Sequence, residues 1–496
     1  MPNKSHSFFW AWALLLLAVF FVAISNDSLW IDEALTATKA RAVTLGDWWR
    51  RMADEKMSDV QMPLYMILIW VQAKAFGSGE WVLRALNLPW LVAGSMAFLQ
   101  SFPQNPQRIA AGLVLLASPF AWYYLNEARP YAMQLGGALL VVAALQALSR
   151  SVSPVTTGRA WFGIFCAGLL VLGGCSLLGM IWVAGAVGAL VVLLTFPITW
   201  RLLQRNWTLT LATGGGLTVL TIYYLLTLKM GARASPVAGT GWANVVFAGY
   251  ELAGFAGMGP GRLQLRELGA AALRPYLGWL GVYAVVWSFV MFRAFASLNQ
   301  EPANRRRLLG GVACVAGPVI LLVAAGMIAH FRLLGRHMTP LLAVWLWLLT
   351  LGFAILAQDA AWWKRGVVGL FVALGLVSCL SLRFATRHAR DDYRGAAARA
   401  RVALAQGQIV WWSASPWGAE YYQLPTSLPP GRAGAAVELV NVAPAELAGL
   451  LMPDLVVGSK PDLHDADGAV AAYLAIKGYQ PEKALAGFTI RVRAGR

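Results

Sequence analysis

The sequence predicts an α-helical membrane protein of many spans that carries a small α/β domain at its C-terminal end. Three observations predict it. Hydrophobic residues fill 58% of the 496 positions and charged residues only 13%, about half the charged share of soluble domains. The apolar residues gather in runs close to the roughly 20 residues that a helix needs to cross a bilayer. Composition then changes at about Arg383, where short alternating helix and strand signals replace the long runs.

About eleven runs qualify as spans, at approximately 8–25, 85–101, 109–125, 131–149, 160–174, 177–197, 207–228, 276–296, 308–328, 340–357 and 366–382. The first could be a signal peptide ending near Ser25, but its length and the many spans that follow favour a retained helix. With a cytoplasmic N-terminus, the gaps holding Arg108, Arg150 and Arg159, Arg201 and Arg205, Arg305 to Arg307, and Lys364 and Arg365 all fall inside. That parity obeys the positive-inside rule. The run from Pro63 to Phe76 is short and contains Gln72 and Lys74, so it reads as an interfacial helix rather than a span.

The parity leaves two large external loops, 26–84 and 229–275, each expected to contain short helices. Both exceed the length of ordinary connectors. The membrane module therefore covers 1–382, and an odd number of spans puts the domain at 383–496 outside the cytoplasm, in the periplasm of an inner-membrane protein. In that domain Asp391 to Gly407, Ala443 to Leu451 and Asp465 to Lys477 read as helices. Gln408 to Ser413, Ala436 to Asn441, Asp454 to Gly458 and Phe488 to Val492 read as strands, which gives an α/β layer structure.

The formal net charge of +17 does not point to nucleic acid, because the basic residues sit in short loops between apolar runs. That placement fits topology control and phosphate-bearing lipids. Cys166, Cys175, Cys314 and Cys379 lie in or beside apolar runs without metal-ligand spacing, so no disulfide is expected. His330 and His337 are too isolated for a metal site.

Two acidic clusters fall on the external side. Asp32 and Glu33 follow the first span and Trp30; adjacent acids there either cap a helix start or supply a general base or metal ligand where headgroups meet water. Capping and chemistry are about equally supported by the local pattern alone. The second cluster is Tyr123-Tyr124-Leu125-Asn126-Glu127-Ala128-Arg129-Pro130-Tyr131. Taken alone it reads as an aromatic belt with a snorkelling arginine and a helix-starting proline. External cations at Arg84, Arg129, Lys229, Arg233, Arg262, Arg266, Arg332, Arg336 and His337 exceed what topology requires. Many of these are expected to be solvated or to pair with interfacial phosphates, but a phosphorylated substrate arriving from the membrane would need such groups, because guanidinium binds phosphate through two parallel hydrogen bonds.

The order of these motifs resembles the GT-C glycosyltransferases, with the nearest likeness to bacterial relatives of protein O-mannosyltransferases and lipid A aminoarabinose transferases. It rests on Asp32-Glu33, Met62-Pro63-Leu64-Tyr65, Gly77-Ser78-Gly79-Glu80 to Arg84, Glu127-Ala128-Arg129-Pro130-Tyr131 and Arg336-His337-Met338-Thr339-Pro340, over roughly residues 8–357. Asp391-Asp392-Tyr393-Arg394-Gly395-Ala396-Ala397 is similar to the start of the extracytoplasmic domain in some of those relatives. The resemblance implies transfer of a sugar from a polyprenyl-phosphate donor to a hydroxyl of a glycan, lipid or protein acceptor on the external face. It implies Asp32 as the base, with Glu33 beside it. Glu127, Arg129, Tyr131, Arg84, Arg262, Arg332, Arg336 and His337 are the candidate substrate-binding residues, and a divalent metal is left open. The second cluster departs from the aminoarabinose transferases, which place an Asp near that point, so their substrate is not carried over.

Two rival readings stand beside this one: a transporter or flippase for polyprenyl-linked sugars, and a non-catalytic subunit of an envelope polysaccharide complex. Transporters place polar groups near the midplane on broken helices, whereas here few ionisable residues occupy span centres. The transferase reading expects both acidic clusters and the arginine-bearing loops on one face of the bilayer.

Overall fold

The computed structural model describes residues 4–151, 155, 158–234, 239–328, 331–482 and 485–493. The side chain of Arg233 and the whole of His330 lie outside what is described. The chain forms two compact units. One comprises Met1–Ser25, Leu45–Ala75 and Trp81–His388; the other comprises Asn26–Thr44, Phe76–Glu80 and Ala389–Arg496.

The first unit is a multi-pass helical membrane fold. Among the described residues seven helices are long and apolar enough to cross a membrane, or up to nine if each of two bent pairs is one span. Shorter apolar helices occupy Phe9–Ala23, Pro63–Phe76 and Arg159–Cys175. Each of the eleven expected runs is thus a helix or a bent pair, and both long loops contain short helices, including Leu45–Glu55 and Trp242–Leu252.

One bend has a local cause. Asn105–Leu116 and Pro119–Leu125 meet at 54°, because Pro119 lacks an N–H and clashes with a helical predecessor. Ser118 accordingly takes an extended conformation, with φ −93° and ψ 101°. The bend redirects the chain into the 123–131 cluster.

Close helix packing depends on missing side chains. A Cβ on Gly94 would lie 2.4 Å from the Gly136 carbonyl oxygen, and one on Gly168 would lie 2.9 Å from the Gly137 carbonyl oxygen. Small residues let helix backbones approach in a medium where lipid is as apolar as leucine. Helices Asn87–Gln100, Tyr131–Arg150 and Arg159–Cys175 therefore pack closely against one another. All four cysteines are buried free thiols.

The second unit is α/β. Its strands are β1 (Val410–Ser413), β2 (Thr426–Ser427), β3 (Ala436–Glu438), β4 (Leu455–Gly458), β5 (Gln480–Pro481) and β6 (Thr489–Val492). They lie in the order β2-β3-β1-β4-β6-β5. The first four are parallel, with Trp411 opposite Val437 and Val456, and β6 is antiparallel to β4 and β5. β1 reads Val-Trp-Trp-Ser and is buried throughout, as expected for a central parallel strand covered on both faces. Trp411, Val456, Leu447, Val470 and Leu474 pack into one core with the helices beside the sheet. The helix Ile31–Ala40, from the first long loop, is part of this unit.

Candidate functional site

In the second unit, Trp30 leads into the helix Ile31–Ala40, which puts Asp32 and Glu33 in its first turn. The two acids differ. Glu33 is fully buried; its Oε2 accepts from the Trp30 backbone N–H at 3.3 Å and lies 3.1 Å from Arg390 Nη1. It closes the helix start and neutralises a largely buried guanidinium, which is the capping role with an ion pair added. Asp32 is only half-buried.

Asp32 lies within electrostatic reach of the Tyr393 hydroxyl. Burial first, then Asp391 and to a lesser degree Asp32, hold that phenol well above its usual pKa, because desolvation and nearby negative charge both disfavour phenolate. Leu29 N–H donates to Tyr422 Oη at 2.8 Å, and Arg394 N–H donates to Ser28 Oγ at 3.1 Å. Arg41 donates to the Tyr421 carbonyl at 2.6 Å and to Ser78 Oγ at 2.9 Å. These bonds fix the stretch that carries Asp32 onto the helices Tyr393–Ala405 and Pro416–Tyr421 of the same unit.

In the first unit the second acidic cluster is buried and interlocked. Arg129, 2% exposed, pairs with Asp59, 1% exposed, and donates to Ser58 Oγ at 3.3 Å. Asn87 Nδ2 donates to the carbonyls of Glu127 at 2.7 Å and Arg129 at 3.0 Å. Arg84, also buried, donates to the Ser25 carbonyl at 3.0 Å and to Ser25 Oγ at 3.2 Å, and Ser25 N–H donates to Asn126 Oδ1 at 2.7 Å. Arg84 is thereby tied to the segment that presents Glu127.

The second long loop and the segment 331–338 meet at a carboxylate. Glu251, 5% exposed, lies 2.5 Å from Arg262 Nη2, and its other oxygen accepts from Gly335 N–H at 3.2 Å. A Cβ on Gly335 would come within 2.5 Å of that oxygen, so glycine is needed for the approach. Thr240 Oγ1 donates to the Phe331 carbonyl at 2.6 Å and accepts from Leu333 N–H at 2.9 Å.

Arg262 stands 4.2 Å above the Tyr123 ring and donates to Tyr124 Oη at 3.2 Å. Glu127 and Glu251 both act on it electrostatically. Arg336 lies 5.5 Å above the Tyr131 ring, and His337 Nδ1 accepts from Leu334 N–H at 3.2 Å. Glu127, Tyr131, Arg262 and Arg336 thus gather around the tyrosines of the 123–131 segment. Arg332 is exposed.

Asp59, Glu251 and Arg390 were not among the sequence candidates, yet each completes an ion pair, buried for Asp59 and Arg390 and with an exposed guanidinium for Glu251. Glu251 had a visible signal, a lone acid in the apolar stretch Val245 to Phe255. Among the described residues no group of three or more His, Cys, Asp or Glu is arranged to hold a metal ion.

The polytopic helical core, the long loops with their short helices and the C-terminal α/β layer together make a fold that solved membrane proteins share. No protein-family model and no curated protein matches the sequence. Among solved structures, the chain is similar to ArnT from Cupriavidus metallidurans in the apo state, with a TM-score of 0.58 and 13% identity over 99% of this chain and 98% of that one. It is also similar to the same protein bound to undecaprenyl phosphate, with a TM-score of 0.52 and 14% identity over 100% and 99% of the two chains.

Proposed function

We propose that this protein is a membrane glycosyltransferase that moves a sugar from a polyprenyl-phosphate donor to a hydroxyl acceptor, with Asp32 as general base. The observation that carries the reading is the likeness to ArnT over nearly the whole of both chains, C-terminal domain included; one of those structures holds undecaprenyl phosphate. Inner-membrane residence, a cytoplasmic N-terminus and a periplasmic C-terminal domain, with domain limits near 1–382 and 383–496, belong to the same proposal.

The chemistry assigns the parts. When the anomeric C–O bond breaks, the lipid phosphate gains charge, and fixed guanidinium groups lower the barrier by meeting that charge as it develops. Arg262 and Arg336 suit this role because each is held against an aromatic ring, with Arg84, Arg129, Arg332 and His337 as further candidates. Glu127 and Tyr131 would line the sugar-phosphate path. The acceptor hydroxyl gives its proton to a carboxylate as it attacks, which contributes typically 10²–10⁴-fold. Of the two adjacent acids, half-buried Asp32 suits that task better than Glu33, whose carboxylate is committed to Trp30 and Arg390.

Purified protein in vesicles, given a polyprenyl-phosphate sugar and envelope glycolipid acceptors, should release free polyprenyl phosphate in step with sugar transfer. Movement of the intact donor across the vesicle without release would favour the transporter reading.

A further inference from the structure

The parallel strands of the C-terminal sheet have a reversal in their order. From β1 the chain reaches β3 on one side and then β4 on the other, and open α/β sheets bind ligands outside the carboxyl ends of their strands at such a point. The turns there carry Ser415 after β1 and Ser459 with Lys460 after β4. The buried Tyr393 hydroxyl, without a hydrogen-bond partner among the described residues, lies near the Ser415 backbone and the Ser459 side chain, so it marks the gap between the two turns. Asp32 acts on the same hydroxyl.

Lys460 has a left-handed backbone, φ +47° and ψ 68°, a conformation that costs energy in a residue other than glycine and that gathers at ligand-binding turns. Its ammonium, in a side chain 10% exposed, pairs with Asp391 and lies 5.2 Å from the centre of the Trp30 ring. Trp30 is two residues from Asp32. The edge thus offers an aromatic ring, hydroxyls, and a carboxylate–ammonium pair of zero net charge. A hydroxyl-rich neutral ring matches that set, because it can donate to Asp391, accept from Lys460 and lay its C–H face on an indole. An anionic group would need a cation not already neutralised.

We propose that the carboxyl edge of β1 and β4 is the acceptor subsite, taking a neutral saccharide on Trp30, Asp391 and Lys460 with one of its hydroxyls turned toward Asp32. The proposal rests on the reading of Asp32 as base and adds the class of acceptor.

Saturation-transfer NMR on the full chain in nanodiscs tests it, with methyl hexopyranosides and a serine- and threonine-containing peptide as probes at millimolar concentration. Ring protons of the glycosides should receive saturation in the wild type and lose most of it in Trp30→Ala and Asp391→Asn, each checked for an unchanged melting profile. If Trp30→Ala does not fold, the near-isosteric Asp391→Asn carries the test. Glycoside signals that are absent in the wild type, or equal in wild type and Asp391→Asn, would overturn the subsite, as would saturation of the peptide alone. Release of polyprenyl phosphate, measured on the same preparations, tests the transferase reading separately.

Discussion

Glu33 and Arg390 are 357 residues apart in sequence and form a buried ion pair at 3.1 Å. Removing one member of such a pair leaves an uncompensated buried charge, which costs roughly 3–5 kcal/mol. Glu33→Ala should lower the thermal midpoint of the C-terminal unit sharply, and the double variant Glu33→Ala with Arg390→Met should recover most of the loss. Equal melting of Glu33→Ala and wild type would refute a stabilising role for Glu33.

Asp59 and Arg129 make the corresponding pair in the membrane unit. Asp59→Asn removes the carboxylate that pairs with a guanidinium 2% exposed, so the folded yield should fall by up to about the same free energy, whereas Asp47→Asn, which touches a largely exposed Arg50, should change little. Monodisperse yield in size-exclusion chromatography reads both.

At Gly335 any side chain meets the Glu251 carboxylate. Gly335→Ala should separate the second long loop from the segment 331–338, which protease sensitivity near Thr240 or Phe331 would report. In the double variant with Glu251→Ala the clash with the carboxylate is removed and only a tight 3.1 Å contact with the residue 251 Cβ is left, so protection from cleavage should improve over Gly335→Ala alone.

His388 follows the last long helix, and burial first, with Arg387 second, pulls its pKa down to about 4 from the ordinary 6.5. Its folded pKa is depressed, so the unfolded chain binds the extra proton and stability is lost as pH falls from 6.5 toward 4, by at most about 1.4 kcal/mol per unit. Above pH 6.5 the residue contributes no pH dependence. Melting curves of wild type and His388→Gln between pH 4 and 7 should diverge in that window alone, and parallel curves would contradict it.

Helices were legible because their signal is local: each expected apolar run formed one, although the run at 109–125 was read as unbroken and is bent at Ser118-Pro119. In the C-terminal domain four strands were legible from β-branched and aromatic runs, while β2 and β5, two residues each, are too short to show alternation. The pairs of Glu33 with Arg390 and of Asp59 with Arg129 were not legible, since nothing in a local window says which distant cation will neutralise a buried acid. For the same reason the grouping of Asn26–Thr44 with the C-terminal residues in one compact unit left no trace in composition. The motif pattern could place Asp32 and Glu33 side by side; only packing separates a buried cap from a half-buried carboxylate.

The most direct test compares Asp32→Asn with wild type in sugar transfer from a polyprenyl-phosphate donor, using protein reconstituted in nanodiscs and matched for melting temperature. A base whose loss removes proton transfer from the transition state predicts a fall in kcat of about 10²–10⁴-fold, with donor binding retained. Turnover within a few-fold of wild type in the Asn variant would contradict the assignment.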